Sequence, residues 1–533
     1  MTVETYVLIV GGGPVGLSAA IDLTWRGVPH MLVSENIETA QHPKCNTTNT
    51  RSMEHFRRLG IAKDLRSEAL PDDLERASAY VTRFCGYEFG RLPRAYADWP
   101  TPEVPATISQ IVLERTLRQI AEKRRAAPLH FGHKLESFTA DDGVIVADIA
   151  NVTTGEKQTI RARYLLAADG ASSMVRRTLD LRMTGEDGKT PRAFMGGTML
   201  SYYIHAPGLT AKSGRKPAIM TWIVNPDMRA MMYAQSGRDM WVTHFQVPGG
   251  VDWRTVDARE IVRAMIGCDI DFEILSGGPW TGGLALVAEH YQAGPVFLAG
   301  DAAHLFTPLG GFGMNTGIGD VMNLTWKLAA THQGWAGPKL LDSYEPERRP
   351  MGLRNTQLGV RCAAVMDGWR IPPDFEADTT EAADKRATLG ARALVEDKPQ
   401  YRTVGIQLGE RYEGSDVIWP DGSPAPPDDW QSYQPLERPG ARAPHLWLAP
   451  GRSLFDDFGP GFTLLDFGAP KDAAAFERAA QTCGVPLKVL PMTVADAGSY
   501  RSKLVLVRPD QHIAWHGDSV TDPLALIDRV RGA

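Results

Sequence analysis

Residues Tyr6–Val10 read YVLIV and run straight into Gly11-Gly12-Gly13-Pro14-Val15-Gly16. A short unbroken apolar run suits a strand buried on both faces of a parallel sheet. The next segment, LSAAIDLTWRG, places Leu17, Ala20 and Ile21 on one helical face and sets Gly27 as its C-cap. His30–Glu35 (HMLVSE) reads as the following strand, which completes a β-α-β unit. The glycine spacing then has a physical meaning. Gly11 permits the tight turn, Gly13 lets a pyrophosphate approach the backbone, and Gly16 lets helix and strand pack closely. Pro14 suits the first turn of the helix, whose free N–H groups face the phosphates. Glu35, nineteen residues beyond Gly16, can accept hydrogen bonds from ribose hydroxyls. The motif serves FAD and NAD equally.

The rest of the chain alternates in character. Helical patterning returns at 51–59 and 112–125, and Leu129–Leu166 is strand-like with turns at Asp142-Gly143 and Thr154-Gly155. Residues 185–285, rich in Thr, Tyr, Trp, Val and Met, read as a mostly β insertion. Asp320–Thr331 is helical again, and a charged helix is expected at 380–397. Eight prolines between Pro420 and Pro450 mark extended connecting chain. Beyond them FTLLDF, PLKVLPM and KLVLVRP form short strands around a helix at 472–482, a separate small α/β domain. The expected fold class is α/β and α+β: a Rossmann-like nucleotide-binding domain, a β-sheet substrate domain and a small C-terminal domain.

A chain of 533 residues exceeds one ordinary core. Its net charge of −6 argues against general binding to nucleic acid or anionic membranes. The glycines and Pro14 interrupt the apolar stretch from Tyr6 to Leu23, so it does not span a membrane. With no leader pattern at Met1, the expected location is the cytoplasm. Cys45, Cys85, Cys268, Cys362 and Cys483 are scattered, without a CxxC pair or zinc spacing, and are expected as reduced thiols. No set of side chains shows metal-ligand spacing, so no metal is expected.

Two further segments decide between the nucleotides by resemblance. Leu165–Arg176 reads LLAADGASSMVR, and Val296–Asn315 reads VFLAGDAAHLFTPLGGFGMN. With the N-terminal glycines, these resemble the three fingerprints of the class A flavoprotein aromatic hydroxylases, the p-hydroxybenzoate hydroxylase-like group. The segments RAPHLWL, SLFDDFGPGFTLL and LVLVRPDQHIAW resemble the thioredoxin-like tail of the phenol, polyketide and 3-(3-hydroxyphenyl)propionate hydroxylase branch. The resemblance implies FAD, with NADPH or NADH as co-substrate. Asp169 and Gly170, with Ser173 and Arg176, would lie near the pyrophosphate and bear on NAD(P)H use. Gly300 and Asp301 would meet the ribityl chain, whose hydroxyls donate to an acceptor-only carboxylate. The loop with Pro308, Gly310, Gly311, Gly313, Met314 and Asn315 would bring helix-start N–H donors to the flavin N1–C2=O edge. Gln110 matches a glutamine near the flavin. Lys44 stands where the family usually carries arginine and lacks its planar fork. Asn36 also replaces an arginine common after the acidic residue. His304 reads as a packed, hydrogen-bonded residue. The tail has only Cys483 and no CxxC, which excludes a dithiol redox role.

The resemblance also implies the domain bounds. The FAD-binding domain takes 1–75, 106–184 and 286–365, and the substrate-binding domain takes 76–105 and 185–285. A helical connection spans 366–413, and the thioredoxin-like domain with its Pro-rich lead-in spans 414–533. On the substrate side, Trp222, Met231, Tyr233, His244 and Phe245 are candidates to line an aromatic pocket, while Arg229 and Arg238 have the charge to hold a substrate carboxylate but flank turns and are expected in solvent. The implied activity is a single-component monooxygenase hydroxylating a phenolic substrate through a flavin C4a-hydroperoxide, with the hard chemistry carried by the cofactor. The partners are then a small aromatic molecule and O2, in a monomer or homodimer. A Baeyer–Villiger or epoxidising oxygenase, a dehydrogenase or reductase, and a non-catalytic FAD-binding protein would share the same motifs. A flavin halogenase is disfavoured, since WxWxIP is absent. With no second GxGxxG, nicotinamide has no domain of its own.

Overall fold

The computed structural model describes residues 2–71, 73–124, 128–141, 143–185, 199–247, 251–280, 284–307, 309–493 and 498–533. Pro308 therefore lies outside the described residues. The first strand, β1 (Thr2–Val10), becomes fully buried over its last four residues, where the apolar run was read. It pairs in parallel with β2 (His30–Ser34) on one side and with Lys157–Ala167 on the other. The sheet continues outward through Val296–Leu298 beyond the latter strand and Leu129–Phe131 beyond β2. An antiparallel hairpin, His133–Asp141 with Val144–Asn151, extends the 157–167 strand. Between β1 and β2 runs α1 (Pro14–Trp25), and Gly27 follows it at φ 72°, as the C-cap reading requires.

Four of the further helices of this part bear on the site. α2 (Thr50–Arg58) opens on Asn49, whose side chain accepts from the Ser52 N–H. Gln110–Lys123 follows the predicted span closely. The helix Gly313–His332 is buried along most of its length, and Tyr344–Asp367 packs beside it. Sequence reading did not resolve the latter as one helix. It contains Pro350 and no clear apolar stripe.

The β insertion forms a seven-stranded sheet in the order Glu273–Trp280, Met199–His205, Met240–Gln246, Arg229–Ala234, Ala218–Val224, Glu75–Val81, Glu88–Pro93. Alternation divides its two faces. Leu200, Ile204, Ile223, Met232, Trp241 and Phe245 form one cluster with the Ala258–Ile266 helix. Met199, Trp222, Met231, Tyr233 and Val242 form another with Leu309 and Phe312. The second face is thus the one turned to the glycine loop.

The expectation of five reduced thiols is corrected at one pair: Cys85 and Cys268 are joined as a disulfide, with Cα atoms 5.8 Å apart and 183 residues between them. Sequence spacing hides such a pair, because the turn between the 75–81 and 88–93 strands meets the end of the 258–266 helix only in three dimensions. Cys45, Cys362 and Cys483 remain free thiols.

At the C-terminus, Phe462–Asp466 pairs in parallel with Leu487–Pro491 and antiparallel with Leu504–Val507, which in turn pairs with Ile513–Gly517. The helices Pro470–Thr482 and Pro523–Val530 cover this sheet. Its core is not self-contained. Phe462, Leu464, Leu504 and Leu506 share a cluster with Trp326, Ala330, Trp335 and Leu340.

Candidate active site

Three turns converge at the carboxyl ends of the parallel strands. At Gly11 φ is 114°, and a Cβ there would run into the carbonyl of Ala168, in the Asp-Gly segment. A Cβ at Gly16 would strike the Gly11 carbonyl. Gly13 is different: a Cβ there would meet nothing within 4 Å, so its backbone faces open space over the start of α1. Gly300, at φ 61°, sits against Val15 of α1, and Gly317 of the 313–332 helix closes on both. Only hydrogen atoms on these α-carbons allow two helices and a turn to approach so closely.

The second fingerprint is wired to the third. Arg176, buried, donates to the Ala302 and Ala171 carbonyls at 2.9 Å each. Ser173 caps the short helix that carries it. Asp169 accepts from the Val175 N–H through Oδ2, while Oδ1 is buried without a partner, and burial pushes the carboxyl above its ordinary range. The Asp301 side chain is exposed at its tip, yet the protein around it desolvates the carboxyl and raises its pKa against the pull of His304 and Lys44. Its Oδ1 lies near the Gly313 position. His304 is fully buried and bonds Asp320 at 2.8 Å, the structural role expected of it.

The loop before the 313–332 helix turns on Gly310 (φ 78°) and Gly311 (φ 66°), conformations that favour glycine. The first N–H groups of that helix, over Gly313, Met314 and Asn315, lie at its positive end. The side chain of Asn315 is already used. It accepts from the Asn49 N–H (2.9 Å) and the Ser52 hydroxyl (2.8 Å), and donates to the Gly311 (2.7 Å) and Thr47 (3.0 Å) carbonyls. That leaves only its backbone N–H for any bound group. Lys44 is exposed, and its backbone N–H donates to Gln110 Oε1 at 2.9 Å, so these two positions meet. Glu35 lies exposed at the end of β2, 3.8 Å from Lys134. An acceptor-only acid, a glycine-lined phosphate approach and two helix N-termini fit an adenine dinucleotide with a ribityl chain.

Over this groove lies the second sheet face. Tyr233 and His244 are both buried and bonded at 2.9 Å, with rings stacked 5.3 Å apart. Burial pushes His244 down to about 3, with His42 adding to the shift, and holds Tyr233 well above the usual phenol range. Both are neutral near pH 7. Trp222 donates to Tyr401 at 2.7 Å, and Met231 pairs with His244 across the strands. Two substrate-side readings are corrected. Phe245 faces the other side, since neighbours in a strand cannot share a face with His244. Arg229 is partly buried and donates to the Trp369 carbonyl rather than lying in solvent.

Sequence reading singled out Lys44 but missed the contacts of its neighbours His42, Cys45 and Asn46. His42 bridges Ser276 (2.9 Å) and Ser201 (2.8 Å) of the sheet, and Asn46 reaches the Ala234 carbonyl. Cys45 lies 3.8 Å from the Met314 sulfur, its thiol pushed up to about 12 by burial and by Glu114 and Asp301. HPKCNTTN has neither periodicity nor a motif spacing that would reveal these contacts. Among the described residues no cluster of His, Cys, Asp and Glu could hold a metal, and no helix is long and apolar enough to cross a membrane.

Comparison with known proteins agrees with this geometry. Residues 4–358 match the FAD binding domain family, and residues 436–531 match the aromatic-ring hydroxylase C-terminal family. Phenol 2-monooxygenase of Pseudomonas sp. (strain EST1001) is 32% identical over 99% of this chain and 93% of its own. Tetracenomycin A2 monooxygenase-dioxygenase of Streptomyces glaucescens is 31% identical over 98% and 95%. Among solved structures, the rebeccamycin biosynthetic enzyme RebC with bound 7-carboxy-K252c superposes with a TM-score of 0.92 at 36% identity, covering all of both chains. The chain belongs to the FAD-dependent aromatic-ring hydroxylases, and its fold is theirs. It is a flavoprotein monooxygenase whose cofactor is FAD, with NAD(P)H as co-substrate.

Proposed function

We propose that FAD lies with its pyrophosphate over Gly13 and the α1 N-terminus, its ribityl chain at Asp301, and its N1 edge at the backbone N–H groups of Gly313–Asn315. The ring to be hydroxylated then sits between that edge and the sheet face of Trp222, Met231, Tyr233 and His244. The observation that carries this reading is the Tyr233–His244 pair, buried and neutral on an apolar face turned to the glycine loop. Bound FAD supplies the redox chemistry, taking electrons from NADPH or NADH and activating O2. The chain's own residues do the rest. Tyr233 offers a hydrogen bond to a substrate phenol oxygen, and His244 fixes its direction and shares its proton. Trp222 and Met231 orient the ring and keep water from the reacting face.

The substrate is a phenolic aromatic compound. Relatives whose names specify phenol or tetracenomycin A2, and solved structures holding 7-carboxy-K252c or aklavinone, support a range from one ring to several fused rings. The division of the chain into FAD-binding, substrate-binding, connecting and thioredoxin-like parts at the bounds given above belongs to the same reading. So do a cytoplasmic location, where NAD(P)H is supplied, and a monomeric or homodimeric state. The test is NAD(P)H oxidation and O2 uptake across a panel from single-ring phenols to fused-ring phenols. The expected result is stimulated oxidation with a product heavier by one oxygen atom. Oxidation that no phenol stimulates would reject the substrate class.

A further inference from the structure

We propose that the 508–512 turn of the C-terminal domain positions the flavin-edge loop, acting through Arg51 and Asn315. The inference rests on the reading that the 309–315 loop meets the flavin.

Arg51 stands in the first turn of α2 and is buried. Its guanidinium donates to Gln511 Oε1 at 2.5 Å, to the Asp510 carbonyl at 2.7 Å and to Glu54 at 2.9 Å. Two of the three acceptors belong to the C-terminal turn. A planar fork that spans both chains fixes their relative position in direction as well as distance. One residue before α2 begins, the Asn49 N–H donates to Asn315 Oδ1, and the Ser52 hydroxyl donates to the same oxygen. Asn315 in turn holds the Gly311 carbonyl at 2.7 Å, inside the flavin-edge loop. From the tail to that loop the path is Gln511, Arg51, the first turn of α2, Asn315 and Gly311, buried or half-buried throughout.

The turn is itself held firmly at its other end. Arg508, fully buried, donates to Glu347 at 2.6 and 2.8 Å and to Asp510. Asp510 then accepts from the Trp326 indole at 3.2 Å, on the body of the 313–332 helix. The tail thus touches that helix midway and, through α2, at its N-terminus. Gln511 keeps a left-handed φ of 68° without being glycine, a conformation retained only where surroundings over-determine it. A tail that merely docks would need none of this. Such a contact exists for comparison: Arg57, further along α2, pairs with Asp456 at 2.7 Å on the solvent side and does not lead to Asn315.

The experiment compares the flavin-bound wild type with Gln511→Gly, Arg51→Lys and Asp456→Asn. Gln511→Gly accepts the left-handed φ and removes only the amide that Arg51 grips. Arg51→Lys keeps the charge and loses the fork. Hydrogen exchange of residues 309–316, FAD dissociation constant and flavin midpoint potential are measured. Gln511→Gly and Arg51→Lys should speed exchange at 309–316 and weaken FAD binding by about tenfold each, the scale of one charge-assisted hydrogen bond. Asp456→Asn should leave both at wild-type values. Wild-type values in both Gln511→Gly and Arg51→Lys, or equal changes in Asp456→Asn, would overturn the positioning role. If FAD gives no protection to 309–316 in the wild type, the placement of the flavin is itself wrong, and this inference goes with it.

Discussion

At the scale of single residues, the glycines of the first turn divide into those the fold needs and one that protein contacts do not require. Gly11 and Gly16 are required by protein contacts, since a Cβ at either would strike backbone. Gly13 has an extended φ of −77°, which alanine adopts freely, and open space above it. Gly13→Ala should therefore leave the apoprotein's melting temperature unchanged while weakening FAD binding by about tenfold or more, because the methyl group occupies the phosphate's approach. Titration by fluorescence quenching on the refolded apoprotein checks this, and equal affinity would remove the pyrophosphate from that place. Tyr233→Phe keeps the ring and removes the hydroxyl bonded to His244. It should lower kcat/KM for hydroxylation by about 10²-fold while NAD(P)H oxidation persists and yields hydrogen peroxide. Product and peroxide assayed together decide the point. The glycines were legible because their constraint is local. Tyr233 and His244 were legible as candidates only, and pairing Phe245 with them failed because adjacent strand residues point to opposite faces.

At the scale of elements, the 75–81 strand and the end of the 380–396 helix meet through one buried acid. Asp397 accepts from the Tyr80 hydroxyl, and burial raises its pKa to about 6 although that hydrogen bond opposes the shift. The folded state then binds the proton more tightly than the unfolded chain. Its contribution is complete below the unfolded value near 4 and is lost as pH rises through about 6. Asp397→Asn mimics the neutral acid. It should match wild type near pH 4 and exceed it at pH 8 by about 3 kcal/mol, an upper figure given the tyrosine contact. Denaturant midpoints at the two pH values test the sign. The helices with clear periodicity, such as Gln110–Lys123, were visible in advance. The 344–367 helix was not, because its contacts on several sides erase the stripe that sequence reading depends on.

At the scale of the whole molecule, charges buried between the C-terminal domain and the flavin-binding part decide cohesion. Burial alone would raise Glu347, but Arg508 and Lys327 overcome it and hold the carboxyl well below its usual range. Arg508→Met leaves Asp510 without its main cation and Glu347 with one fewer. A loss of about 3 kcal/mol is expected, the scale of breaking a buried pair from one side. Because Trp326 and Trp335 share a core with Phe462, flavin release and loss of helical signal should coincide on urea unfolding in wild type and variant alike. Flavin released well before the tail unfolds would show two independent units instead.

Local chemistry in the sequence determined the β-α-β start and the three glycine-bearing turns, and the motifs that carry those turns supplied the resemblance to the family. These depend on steric limits and hydrogen-bond capacity within a few residues, and neighbours far along the chain do not alter them. Tertiary structure alone decided which sheet face meets the glycine loop, that the Asn315 side chain is spent on α2 and its own loop, that Cys85 meets Cys268, and that the tail shares its core with the 313–332 helix. Each of these joins residues separated by tens to hundreds of positions, and only the folded chain brings them together.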